Sequence, residues 1–75
     1  MRLIDVKNGK KVIIESIAGG KGVDAKLRQL SLMPGDTIEV VQRAPLHGPI
    51  LVEESGRRVA LGRGVAAMVE VSPCE

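Results

Sequence analysis

A small β-barrel with one inserted helix is the fold this chain predicts, and three observations predict it. Short runs dense in Val, Ile and Leu recur between turn signals along the 75 residues, the pattern of a domain built from short strands. Only one stretch, Val23, Leu27 and Leu30, repeats apolar residues at helical spacing. Between it and the next β-run stands Leu32-Met33-Pro34-Gly35-Asp36, a corner whose proline and glycine turn a helix directly into a strand. The reading is mainly β with one short helix, a barrel of about five strands. That architecture carries a binding surface more readily than a deep active site.

Each element has its own justification. Lys7-Asn8-Gly9-Lys10 reads as a turn, because Asn-Gly is the strongest short-range turn signal. Lys11 to Ile17 is a strand on the β-branched density of Val12, Ile13, Ile14 and Ile17. Ala18-Gly19-Gly20-Lys21-Gly22 breaks it, as a mobile connection or a special backbone conformation. The helix runs from about Val23 to Leu30, with Asp24 four residues ahead of Arg28, the favourable order for both the pair and the dipole. Two to three turns do not stand alone in water, so this helix must lie against the barrel and close one end of it.

In the corner, Pro34 already has the φ it needs and Gly35 can take the positive φ of a type II turn. Thr37 to Arg43 sets Ile38 and Val40 against Glu39, a half-buried strand. Ala44-Pro45-Leu46-His47-Gly48-Pro49 is a second loop. Ile50 to Glu53 and Arg58 to Leu61 are strands flanking the hairpin turn Glu54-Ser55-Gly56-Arg57. Glu53 and Glu54 can then lie across from Arg57 and Arg58, an exposed pairing of a few tenths of a kcal/mol at most, about the usual surface value. Gly62 to Ala67 is a short turn with room for one helical turn, and Met68 to Val71 is a last strand that pairs back to close the sheet.

Length and composition exclude several functions. One domain, residues 1–75, buries only about 60% of its unfolded surface, so its stability is on the order of 5 kcal/mol. The 44% hydrophobic and 27% charged content is that of a soluble globular protein. Phe, Tyr and Trp are all absent, which leaves a core of aliphatics and methionine and no platform for stacking single-stranded bases. The net charge of +2 comes from 11 basic and 9 acidic residues that are interspersed, with Lys10-Lys11 and Arg57-Arg58 as the adjacent basic pairs. That is a mixed, solvated surface, and no nucleic acid is expected as partner. No apolar run approaches the roughly 20 residues that span a bilayer, and Met1-Arg2-Leu3-Ile4-Asp5 holds no signal core. A single cysteine, Cys74, forms no internal disulfide, and a reducing cytoplasm is its simplest home.

Candidates for chemistry are few. His47 is the one side chain whose ordinary pKa lies near neutrality, and it has no acid or nucleophile within three residues. Ser16, Ser31, Ser55 and Ser72 show no nucleophile elbow, and Gly19, Gly20 and Gly22 fit neither phosphate-binding glycine pattern. No catalytic residue and no cofactor is expected; the chain does not read as an enzyme. No pair of Cys or His has a zinc-ligand spacing. The metal reading left open is a weak site shared between molecules, drawing on His47, Cys74 and carboxylates such as Asp36, Glu53 and Glu54. Otherwise Cys74 is a thiol on a frayed tail. Met33 and Leu46 are large apolar residues in loops. They form an interaction patch if the two loops share one end of the barrel, or they are buried under the helix; both readings stay open.

Taken together, Leu27-x-x-Leu30-x-Leu32-Met33-Pro34-Gly35-Asp36-x-Ile38-x-Val40, then Ala44-Pro45-x-x-Gly48-Pro49-Ile50, then Val59-Ala60-Leu61-Gly62-Arg63 with Ala66 ahead of Met68-Val69-Glu70-Val71, resemble the FeoA family of ferrous iron transport proteins. The likeness runs from about Leu3 to Val71. It implies an SH3-like barrel and a cytosolic accessory role beside FeoB, the membrane permease with a GTP-binding domain. The same module is similar to the C-terminal domain of iron-dependent repressors. One residue departs from the pattern: Ser31 stands where the family usually has glycine. A glycine there would form a left-handed cap, which serine adopts at a cost on the order of 1 kcal/mol, so a modified helix end is expected.

The resulting expectation is a non-enzymatic module that binds the cytoplasmic part of a FeoB-type permease, peripheral to the inner face of the membrane. The candidate partner-binding residues are Met33, Pro34, Gly35, Leu46, His47, Gly48 and Pro49, with the exposed face of the helix. The alternatives are a metal- or effector-responsive module like the repressor domain and a small nucleic-acid-binding barrel. Exposed strand edges leave homo-oligomers open.

Overall fold

The alternating apolar residues fold into five strands, and the core lies on the single face those residues share. A computed structural model of the chain describes residues 1–43, 46 and 48–74. The strands are β1 (Lys11–Ile17), β2 (Thr37–Arg43), β3 (Ile50–Glu54), β4 (Arg57–Leu61) and β5 (Val69–Pro73). They form one antiparallel sheet in the order β4-β3-β2-β1-β5. Cross-strand pairs fix the register: Val12 opposite Ile38, Val52 between Val40 and Val59, Ile50 opposite Leu61, Ile14 opposite Val71. All of these are buried, which is why a one-residue slip would be costly.

The sheet wraps but does not close: β5 pairs with β1, while β4 and β5 remain its two edges. Register shifts at Ile14/Ser16 and Val40/Gln42 supply bulges that bend the two longest strands around the core. The methionines lie outside that core, contrary to expectation. Met1, Met33 and Met68 are exposed, and the buried set is Leu, Ile, Val and Ala66. The strand alternation already fills the interior, so the methionines fall at the terminus, a turn and a strand junction.

The first residues, silent in the sequence reading, form a 3₁₀ turn at Leu3–Asp5 that buries Leu3, followed by buried Val6. At the other end β5 extends to Pro73, and the Cys74 amide donates to the Lys11 carbonyl at 3.2 Å. The tail is therefore held at Cys74, which is half-buried, and is not frayed there.

Helix α1 spans Gly20–Gln29, three residues earlier than its apolar spacing predicts. Gly19 at φ 88° and Gly20 at φ 83° swing the chain out of β1, and the helix then begins among glycines that propensity alone would exclude. Leu27 is its one buried residue; Val23 and Leu30 are half-buried. Arg28 Nε stands 3.3 Å from Asp24 Oδ2, as the spacing predicts. A second helix, α2, is the single turn Arg63–Ala66.

The end of α1 is not modified by Ser31. The serine takes the left-handed conformation itself, at φ 62°. Leu32 N–H donates to the Leu27 carbonyl and Ser31 N–H to the Arg28 carbonyl, both at 2.9 Å. This is a complete Schellman motif, with buried leucines at its two hydrophobic positions. Ser31→Gly should thus raise stability by about 0.5–1 kcal/mol, the left-handed strain less the entropy glycine adds to the unfolded chain. A urea titration checks it; an unchanged midpoint would show that the serine is unstrained.

Candidate functional site

Proline and glycine build the Met33-Pro34-Gly35-Asp36 corner as the sequence predicts. Asp36 N–H donates to the Met33 carbonyl at 3.0 Å, and Gly35 sits at φ 97°, the type II arrangement. Asp36 Oδ2 accepts the Met33 N–H at 2.9 Å, clamping the turn from its own side chain. Two further bonds fasten the corner to β1: Gly35 N–H to the Ile14 carbonyl at 2.8 Å and Ile14 N–H to the Asp36 carbonyl at 2.9 Å. Met33, Pro34 and Gly35 are exposed on this rigid support.

The second loop holds Leu46, 95% exposed, with its backbone at φ 57°. Left-handed φ is an outlier for a bulky residue. Gly48 is half-buried and Pro49 exposed; His47, like Ala44 and Pro45, lies outside the described residues. Neither Met33 nor Leu46 is buried under α1. They do not share one end of the sheet either: the corner precedes β2 and the loop follows it. A strand of that length separates them by about 20 Å, so they cannot form one small patch.

Charges on the sheet are ordered across the strands. Glu53 pairs with Arg58 and Glu54 with Arg57, with Arg58 Nε 3.3 Å from Glu53 Oε1 and Arg57 Nη2 2.9 Å from Glu54 Oε1. The hydrogen bonds from Arg57 and Ser55 hold the Glu54 carboxyl below its ordinary pKa. Arg57 also donates to the Leu30 carbonyl at 3.1 Å, so the hairpin tip caps the C-terminus of α1, where a cation is favoured. Along the same face Lys11 lies opposite Glu39, and Glu39 opposite Glu53. Among the described residues no three His, Cys, Asp or Glu side chains come together as a metal cluster, and no helix is long and apolar enough to cross a membrane.

Met1 and Met68, 54% and 40% exposed, are two further large apolar side chains on the surface. Met68 could have been suspected from its place just after a predicted turn, whereas Met1 carried no signal.

Five antiparallel strands curved over one aliphatic core, with a helix inserted between the first two, define the class: a small SH3-like domain. The FeoA domain model matches residues 1–73, and the chain belongs to the FeoA family. A crystal structure of iron uptake regulatory protein (FeoA) is 35% identical, superposes with a TM-score of 0.88, and covers 99% of this chain and 96% of its own. A putative Fe(2+) transport protein A of Methanocaldococcus jannaschii is 29% identical over 69 residues, 92% of this chain and 82% of that protein. An Fe(2+) transport protein A/Fe(2+) transporter FeoB fusion protein of Porphyromonas gingivalis is 32% identical over 71 residues, 95% of this chain but 8% of the fusion. ScaR with bound Zn2+ shares the fold at 18% identity and TM-score 0.90; the match covers 99% of this chain and 37% of that one.

Proposed function

We propose that this chain is a non-enzymatic accessory domain of ferrous iron uptake that binds the cytoplasmic part of a FeoB-type permease and sits at the inner face of the membrane through that partner. The observation that carries this reading is the fusion relative, in which a segment like this chain and an FeoB transporter share one polypeptide. Covalent linkage holds two modules at high effective concentration, which favours partners that act on one another.

The loop at Leu46 is the first contact to test. A leucine held in a left-handed conformation with 95% of its surface in solvent gains nothing from this fold, and backbone outliers of this kind mark functional segments. Titration against the soluble GTP-binding domain of a FeoB-type permease, with and without ferrous iron, should show saturable binding. Leu46→Asp should weaken it about tenfold or more, the loss of about 1.4 kcal/mol or more. Stability should not change, because the side chain touches no core. Undiminished binding by Leu46→Asp would remove this loop from the interface, and Met33→Asp would then test the corner.

The fold shared with ScaR supports a second reading, a metal-responsive module. A thermal shift with ferrous or zinc ions would favour it, since a ligand that binds the folded chain alone raises its melting temperature.

A further inference from the structure

The Asn8-Gly9 turn gathers more positive charge than the even spread of charges along the sequence suggests. Gly9, at φ 85°, returns the chain from the 3₁₀ turn into β1, and Lys7, Lys10 and Lys11 come to border one pocket of about 450 Å³. Met1 and Pro73 supply its exposed apolar surface, while Val6 and Val12 are buried beneath it in the core. Arg43 reaches toward the same rim from the end of β2, donating to the Val6 carbonyl at 3.5 Å. Asp5 is the lining carboxylate, and it already accepts from Arg2 Nε at 3.3 Å.

Two ion pairs touch the pocket, Arg2 with Asp5 and the Met1 amine with Glu70, and its lysines take part in neither. Among the described residues five form in all, through Arg2, Arg28, Arg57, Arg58 and the N-terminal amine, and none uses a lysine. Lys11 faces Glu39 across the sheet; Lys7 and Lys10 stand outside the ladder and are exposed.

We propose that this pocket binds a phosphate-bearing small molecule carrying at least two negative charges. Lysine ammoniums are compact point charges that suit phosphate oxygens, whereas planar carboxylates are matched best by the arginine fork. The volume falls within the few hundred Å³ typical of small-molecule sites, and the exposed surface of Met1 and Pro73 accommodates a short apolar portion. With no Phe, Tyr or Trp in the chain and no histidine among the lining residues, the pocket offers no ring to stack a nucleobase, and recognition is of the phosphates. The proposal does not depend on the transporter reading.

Pyrophosphate, added to nitrogen-labelled protein at low ionic strength and followed by amide NMR shifts, tests it. Saturable shifts are expected at Lys7, Gly9, Lys10 and Cys74. The Lys7→Gln/Lys10→Gln variant should bind about tenfold more weakly, and Lys21→Gln/Lys26→Gln, which removes two exposed helix charges, should change binding less than about twofold. Non-saturating shifts would overturn the proposal, as would equal weakening by the helix variant. Malonate binding as tightly as pyrophosphate would overturn the phosphate chemistry.

Discussion

Leu27→Ala should remove most of the stability of this protein. Leu27 is fully buried, and it is the one residue α1 contributes to the buried core. Truncating a buried leucine costs about 2–5 kcal/mol, through lost transfer energy and the cavity left behind. Against a total on the order of 5 kcal/mol, the variant is left marginal or unfolded. Each kcal/mol lowers the melting temperature by about 4–8 °C in a domain of this size, so a loss of about 3 kcal/mol means a fall of about 12–24 °C. A ten-residue helix does not hold itself together in water, and without its anchor α1 should loosen first. Hydrogen exchange resolves this: α1 amides should exchange well before those of β2, and Leu27→Met, which keeps the volume, should cost less than about 1.5 kcal/mol. If α1 in the alanine variant stayed as protected as β2, the helix would be held by something other than Leu27.

The strands were legible because two signals agreed at each. In β1 the β-branched density, and in β2 the alternation, coincides with flanking turn residues, and both match their predicted bounds, Lys11–Ile17 and Thr37–Arg43. The hairpin turn was legible too, although the sequence did not announce that Ser55 would join Gly56 at positive φ, 52° and 80°, as a type I′ turn requires. The start of α1 was not, because glycines argue against a helix, and no local pattern marks Gly19 and Gly20 as the positive-φ bend that launches it. Separation of Met33 from Leu46 could have been read, since they flank one strand whose length sets the distance. What could not be read is the lysine pocket. Lys7 and Pro73 come together only through the pairing of β1 with β5, which no local pattern encodes.

Gly19→Ala should be the most damaging single methyl group that can be added to the α1 junction. Its φ of 88° costs an alanine about 1–2 kcal/mol on backbone grounds alone. A Cβ there would also stand 2.8 Å from Val23 Cγ2 and 3.2 Å from Met68 Cγ. Valine in a helix is held almost entirely to one χ1 rotamer, so Val23 cannot swing aside, whereas the Met68 chain can give way. The two costs together come to about 2–3 kcal/mol, because overpacking typically adds about 1 kcal/mol or more. Gly20 separates them: its φ is 83° but its Cβ position meets nothing within 4 Å, so Gly20→Ala carries the backbone strain without the clash. The difference between the two variants in a urea titration is then the steric part, and Val23→Ala placed beside Gly19→Ala should recover it. Equal losses at the two glycines would mean that the junction yields freely, and that φ alone makes glycine necessary at position 19.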